Sequence, residues 1–77
     1  MPSFHESTTI TLDARVDEVL PQLGLAFVID DASRSWGVSR STQPQGFDAL
    51  TTGRRVRLQV QAHPEFSIVR EYRVLDH

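Results

Sequence analysis

The stretch that most constrains how this chain folds is residues 24–31, which read Gly-Leu-Ala-Phe-Val-Ile-Asp-Asp. An apolar run that follows a glycine and ends in paired aspartates predicts a β-strand leading into a turn. Because side chains alternate along a strand, Leu25 and Phe27 share one face, and Ala26 and Val28 share the other. If the small pair lies in the core, the large pair is left on the outer surface.

The remaining pattern predicts an all-β fold. Alternating apolar and polar residues, with many β-branched side chains, predict four more strands at 9–16, 35–40, 55–61 and 66–75. One helical turn is predicted at 47–50. The alternation of the last strand is blurred, which we interpret as partial covering on both sides. Five short strands, with one short helical turn between strands 3 and 4, predict a small closed or nearly closed barrel.

Length and composition predict a single soluble domain. The chain has 77 residues and no cysteine, so neither a disulfide nor a thiolate metal site is available. The first six residues lack the basic start and apolar middle of a signal peptide, and no apolar run approaches the length of a membrane helix. We therefore expect a flexible N-terminal segment at 1–8, one domain at 9–77, a cytoplasmic location and no membrane association.

The charge balance argues against a strongly basic nucleic-acid binder. The formal net charge is −2, and all eight basic residues are arginines, because the chain contains no lysine. Proteins that bind nucleic acids usually carry a surplus of positive charge, since neutralising phosphates supplies much of their affinity. In this chain such a surplus could exist only as a local strip.

Several segments resemble the cold-shock domain, a family of five-stranded OB-type barrels. Residues 46–58, GFDALTTGRRVRL, are similar to the loop and fourth strand of that family. Residues 23–28, LGLAFV, resemble its first nucleic-acid-binding motif, usually K-G-F-G-F-I, and residues 36–39, WGVS, fall where the second motif, F-V-H-F, would lie. Residues 15–19, RVDEV, fall on the usual first strand, T-V-K-W-F. The resemblance spans roughly residues 14–75 and implies an OB-type barrel.

This resemblance implies weak binding of single-stranded RNA or DNA. Members of the family stack bases on exposed aromatic side chains, and Phe27 and Trp36 fall at two such positions. Other positions depart from the family: Leu25 replaces an aromatic residue, and Asp17 and Glu18 stand where lysine and tryptophan are usual. Each lost stacking partner removes roughly 1–3 kcal/mol per base, and the two carboxylates would repel phosphates.

Two groups of residues are candidate binding sites. The apolar candidates for an outer face are Leu25, Phe27, Trp36 and Val38. They would bind nucleic acid, a protein partner or a second copy of the chain; the alternative is that they are simply core. The candidate phosphate contacts are Arg54, Arg55 and Arg57, and Arg70 and Arg73 near the end of the chain belong to the same arginine set. Their alternative is a solvated strand face with ion pairs to Glu71 or Asp76.

The sequence favours a non-enzymatic protein without a metal or other cofactor. His5, His63 and His77 lack metal-ligand spacing, and no nucleophile elbow, phosphate loop or dinucleotide fingerprint is present. The adjacent Asp30 and Asp31 suit a turn better than acid–base catalysis. Two functions therefore remain open for this chain, a monomer or a homodimer. One is weak single-stranded nucleic-acid binding, and the other is a protein-interaction or regulatory module that has lost nucleic-acid binding.

Overall fold

The computed structural model describes residues 8–75, which form five antiparallel strands and two short 3₁₀ turns. The strands are β1 (Thr8–Leu20), β2 (Leu25–Asp30), β3 (Ser35–Ser39), β4 (Arg55–Ala62) and β5 (Ser67–Val74), and the 3₁₀ turns are Pro21–Leu23 and Phe47–Ala49. The strands lie side by side in the order β3-β2-β1-β4-β5 and curl into a half-barrel. The predicted all-β fold, with its helical turn between strands 3 and 4, is confirmed. The expected flexible segment at 1–8 lies outside the described residues except for Thr8.

The long strand β1 joins the two halves of the sheet. Its first part pairs with β4 from Thr8 to Arg15, and its last part pairs with β2 from Ala14 to Leu20. The register with β2 shifts between Val16 and Glu18, which leaves Asp17 as an extra residue in a β-bulge. Beyond the bulge the alternation of faces is therefore reset.

The concave face of the half-barrel holds the hydrophobic core. The alternating apolar residues of β4, Val56, Leu58 and Val60, are fully buried, as their pattern predicts. The second 3₁₀ turn contributes Phe47 to the core, and Leu50 follows directly after that turn. The other buried apolar side chains are Ala14, Val16, Ala26, Val28, Trp36, Val38 and Tyr72.

The burial of strand β5 differs from what its sequence pattern indicated. Gln59 pairs with Glu71 and Val60 pairs with Val69, so Arg70 is the extra residue of a second bulge. Tyr72 is the only buried residue of β5. The blurred alternation therefore comes from a bulge, and the interpretation that both faces of this strand are partly covered is wrong.

The half-barrel is not closed by a hydrogen-bonded ladder between β3 and β5. At one end of the seam between them, the side-chain amide of Gln43 bonds to the backbone of Tyr72. Gln43 Oε1 accepts the Tyr72 N–H at 3.2 Å, and Gln43 Nε2 donates to the Tyr72 carbonyl at 3.0 Å. The Tyr72 hydroxyl in turn donates to the Gln43 carbonyl. A side chain thus seals this end of the seam in the way that a neighbouring peptide unit would.

Candidate binding surface

The structure separates the four apolar residues predicted to share an outer face. Ala26 and Val28 are fully buried, so Leu25 and Phe27 of β2 lie on the outer, convex face, where each is half-buried. On β3, Val38 is opposite Ala26 and Trp36 is opposite Val28, and residues directly opposite each other point to the same face. Trp36 and Val38 therefore lie in the core, and their predicted place beside Leu25 and Phe27 is wrong.

Trp36 is held in place by the turn that joins β2 to β3. Its indole Nε1–H donates to Asp30 Oδ2 at 2.9 Å, while Asp30 Oδ1 accepts the backbone N–H groups of Ala32 and Arg34. These three donors, with the Trp36 indole as the largest contributor, lower the pKa of the Asp30 carboxyl below its ordinary value of 3.8. The predicted turn role of Asp30 is confirmed, and the carboxylate also orients Trp36.

The outward-facing residues of β3 are two serines and a glycine, so this part of the surface has no large side chain. Ser35, Gly37 and Ser39 alternate with the two buried residues of this strand. The Phe27 ring lies beside Gly37, because a Cβ atom built on Gly37 would be 3.6 Å from Phe27 Cε1. Phe27 is therefore the only aromatic side chain that the paired residues of β2 and β3 place on the outer face.

An apolar patch surrounds Phe27 at one end of the outer face. Leu20 is opposite Leu25 and Glu18 is opposite Phe27, so the end of β1 adds both a leucine and a carboxylate to this surface. Leu23, in the adjoining 3₁₀ turn, is 68% exposed. The sequence analysis missed Leu20 because the bulge at Asp17 reverses the alternation on which such assignments depend. We call Leu20, Leu23, Leu25 and Phe27 the apolar patch.

Four arginines occupy neighbouring cross-strand positions on the outer face of β1, β4 and β5. Arg15 of β1 is opposite Arg55 of β4, and Arg57 of β4 is opposite Arg73 of β5. We call these four residues the arginine cluster. Asp13 of β1, which is opposite Arg57, lies among them. Arg55, Arg57 and Arg73 of this cluster belong to the arginine set predicted from the sequence, whereas Arg15 does not, since the cross-strand register that brings it alongside cannot be read from alternation.

Asp13 is the counter-charge that the structure shows for the cluster, and the predicted Glu71 forms no ion pair within residues 8–75. Arg57 Nε donates to Asp13 Oδ1 at 2.8 Å, and Arg55 Nη2 lies 4.0 Å from Asp13 Oδ2. The hydrogen bond from Arg57 is the largest cause that lowers the pKa of Asp13, and it also raises the pKa of Arg57. Asp76 lies outside the described residues. Within residues 8–75, neither Arg15 nor Arg73 forms a salt bridge.

The apolar patch and the arginine cluster belong to one continuous surface. Ile29 follows Phe27 on the outer side of β2, and it is directly opposite Arg15. A path over the outer face therefore runs from Phe27 through Ile29 to Arg15 and on to Arg55. Arg54, the remaining predicted phosphate contact, is exposed in the turn that precedes β4.

The described residues offer no cluster that would hold a metal ion. Residues 8–75 contain no group of three or more His, Asp or Glu side chains with suitable geometry. His63 is paired instead with Phe66, at 4.5 Å between ring centroids. His5 and His77 lie outside the described residues.

Comparison with protein families, with curated proteins and with solved structures finds no match to this chain. The resemblance to the cold-shock domain therefore remains a prediction from the sequence. Among residues 8–75, no helix has the length and apolar character needed to cross a bilayer. The surface has to be interpreted from its own geometry and charge.

Proposed function

We propose that this protein binds single-stranded nucleic acid weakly through the outer face of its sheet. The observation that carries the proposal is the arginine cluster. Like charges directly opposite each other on neighbouring strands destabilise a sheet, and here two such pairs lie side by side with Asp13 as their shared counter-charge. Binding of an anionic ligand would account for an arrangement that weakens the fold in this way. The planar guanidinium group of arginine binds a phosphate with two parallel hydrogen bonds.

Phe27 supplies the stacking surface of the proposed site. It lies on the same face as the cluster, and Gly37 beside it carries no side chain that would cover the ring. A base stacked on an aromatic ring contributes roughly 1–3 kcal/mol with little dependence on sequence. A ligand that places phosphates on the arginines and a base on Phe27 has to be single-stranded, since a paired base could not reach the ring.

Three features keep the proposed affinity low. Trp36, the second aromatic residue expected in the site, points into the core and is 9% exposed. Glu18 is opposite Phe27 and would repel a phosphate near the stacked base. The net charge of −2 gives no long-range attraction for a polyanion. A cold-shock-like ancestry and a cytoplasmic location belong to the same proposal.

The arginine cluster is tested by titrating a fluorescent oligothymidine of about eight nucleotides, a length within the range for one OB-type barrel. Fluorescence anisotropy at low salt reports the affinity. We expect the double variant Arg55→Ser/Arg57→Ser to weaken binding by at least about tenfold, because two phosphate contacts are lost. The control is Arg70→Ser, which removes one positive charge at the β5 bulge, outside the cluster. Equal effects of both variants, or no binding by the wild type, would reject the proposal.

The alternative function, docking of a protein partner, is favoured by the apolar patch. Half-buried Leu20 and Leu25 share the face of Phe27, and the exposed Leu23 lies in the adjoining turn. Such side chains suit the centre of a protein interface. Phe27→Leu separates the two functions because leucine keeps apolar area but cannot stack a base. Nucleic-acid binding should weaken roughly 5- to 100-fold, which corresponds to the loss of one stacked base. A protein contact would lose far less, so an unchanged oligonucleotide affinity would favour the alternative.

A further inference from the structure

The edge of β3 that faces the seam is a second candidate binding surface, because some of its backbone groups are unpaired. Asp30 N–H donates to the Arg34 carbonyl at 3.0 Å, and Arg40 N–H donates to the Gly24 carbonyl at 2.9 Å. In an antiparallel ladder the hydrogen-bonded residues alternate, so the even-numbered residues of β3 bond to β2. The N–H and carbonyl groups of Ser35 and Gly37 therefore point away from β2, toward the seam. Within residues 8–75, no backbone hydrogen bond to either residue completes that edge.

The two edges of the seam differ in how they are protected from pairing with another strand. Strand β5 carries the bulge at Arg70, charged side chains and the sealing amide of Gln43. Bulges and charges are the usual devices that prevent an edge from adding a strand. Strand β3 is short but has none of these devices, and its outward side chains are only Ser35, Gly37 and Ser39. An approaching backbone would meet no large side chain along this edge.

Beside this edge lies an open cleft of about 660 Å³ between β3 and the β4–β5 hairpin. Its far wall bears Phe66 and Ile68, which are 57% and 39% exposed. The cleft therefore combines unpaired backbone groups on one wall with the partly exposed Phe66, which packs on His63, on the other. Ile68 lies at the outer rim of that wall, because it is opposite the outward-facing Gln61. Extended peptides bind in this way, with main-chain bonds giving affinity and alternate side chains filling apolar sites.

The charges around the edge identify the kind of peptide. Arginines lie immediately before and after β3, and the guanidinium of Arg34 sits 5.0 Å from the centroid of the Trp36 ring. Arg40 stacks on Phe47 and lies 3.9 Å from the exposed carboxylate of Asp48. No carboxylate is present between the two arginines, which are six residues or about 20 Å apart along an extended chain. On the cleft wall itself, Glu65 is the one carboxylate.

We propose that the free edge of β3 binds an extended peptide of a protein partner, with apolar residues in its centre and acidic residues at both ends. The peptide backbone pairs with Ser35 and Gly37, its central side chains contact Phe66 and Ile68, and its terminal carboxylates meet Arg34 and Arg40. This site is distinct from the outer face proposed for nucleic acid, because it uses the edge of the sheet.

The test uses the full chain and a blocked peptide of about nine residues, long enough to pass Arg34 and Arg40 at both ends. Glutamates form its ends, and valine alternates with threonine in its centre. Binding is followed by the amide chemical shifts of ¹⁵N-labelled protein. We expect saturable shifts centred on the amides of Ser35, Gly37 and Ser39. Replacing the terminal glutamates by lysines should weaken binding by about tenfold, because two attractive ion pairs become repulsive.

Two matched changes test whether the backbone pairing is real. Gly37→Pro removes the N–H that points to the cleft, whereas Gly37→Ala keeps it and places its Cβ at an ordinary 3.6 Å from Phe27. We expect the proline variant to lose the peptide and the alanine variant to bind it normally. Gly37 does not have a positive φ, so alanine is unstrained there, and an edge strand whose N–H faces away from its neighbour is a position where proline is tolerated. Should the proline variant fail to fold, a peptide N-methylated at its pairing residues removes the same bonds from the other side.

Three results would overturn the proposal. Shifts confined to the amides around Arg55 and Arg57 would mean that the acidic peptide binds the arginine cluster by charge alone. Shifts at Ser35 and Gly37 that depend on protein concentration without any peptide would mean that a second copy occupies the edge. No shifts at peptide concentrations in the millimolar range would mean that β3 does not add a strand.

Discussion

Asp30 determines through its hydrogen bonds that the Trp36 side chain lies inside the fold and not on the surface. One carboxylate accepts three N–H groups, and one of these belongs to the indole of Trp36. A Trp side chain whose N–H is bonded inside the fold cannot turn outward to stack a base without breaking that bond. The turn that looked purely structural in the sequence therefore also removes an aromatic residue from the proposed binding surface.

The Asp30 carboxylate makes the fold sensitive to acid. Its folded pKa lies below the ordinary 3.8, so its contribution to stability is complete above the unfolded pKa and is lost as pH falls through the folded pKa. We expect the free energy of unfolding, from urea titrations, to fall below about pH 4. Asp30→Asn should lower the melting temperature by several degrees at neutral pH and make this acid dependence shallower.

The control for this experiment is Asp13→Asn, since the pKa of Asp13 is also lowered, by the hydrogen bond from Arg57. Both carboxylates contribute to the loss of stability in acid, but only Asp30 contacts Trp36. Trp36 emission should therefore shift to the red in Asp30→Asn and stay unchanged in Asp13→Asn. Equal emission spectra in the two variants would contradict the role assigned to Asp30.

Asp13 itself limits how strongly the arginine cluster can hold an anion. Its oxygens engage Arg57 and approach Arg55, so a phosphate has to compete with a carboxylate that is always present. We expect Asp13→Asn to tighten oligonucleotide binding by about fivefold at low salt, the effect of removing one nearby like charge in water. Anisotropy measures this directly. Weaker binding would mean that Asp13 positions the arginines for their ligand.

At the scale of the elements, the strands with unbroken alternation are predicted well. Strand β4 shows period-two alternation from Val56 to Val60, and all three of its apolar residues are fully buried. Strands β1 and β5 each contain a bulge, so the alternation in the sequence does not assign faces beyond it. A bulge depends on how two strands twist against each other, which a single sequence does not display.

The wrong face for Trp36 has a different cause. In an antiparallel hairpin, the length of the turn decides which residue of the second strand is opposite a given residue of the first. Here Asp30 bonds to Arg34 across three turn residues, and Ser33 among them has a φ of 65°. Phe27 is consequently opposite Gly37. An extra residue inserted here, with the loop length itself unchanged, would shift the register by one and place Trp36 opposite Phe27.

The bulge at Asp17 can be tested by deletion. Without this residue, Val16 and Glu18 would become neighbours in a continuous ladder, with Glu18 still opposite Phe27 on the outer face and Val19 still opposite Ala26 in the core. The deletion removes the extra residue and leaves the faces of β1 unchanged. We therefore expect the deletion variant to fold, with a near-ultraviolet circular dichroism spectrum like that of the wild type. An unfolded or molten deletion variant would mean that Asp17 is not the extra residue of the ladder.

At the scale of the whole molecule, the hydrophobic core and the proposed binding surface occupy opposite faces of one sheet. A domain of this size is stable by only about 4–12 kcal/mol. Leu58 is fully buried, so Leu58→Ala should remove about 2–5 kcal/mol by urea titration. Phe27→Leu, on the outer face, should cost far less. Similar losses for both variants would show that Phe27 is a core residue rather than a binding residue.

The salt dependence of oligonucleotide affinity tests the proposed function most directly. If the four arginines of the cluster contact phosphates of a single strand, the logarithm of the affinity should fall with the logarithm of the salt concentration with a slope of about −2 to −3. The slope should approach half of that value in Arg55→Ser/Arg57→Ser. A wild-type slope near zero, or one that the double variant leaves unchanged, would contradict the assignment of the arginine cluster as a phosphate-binding surface.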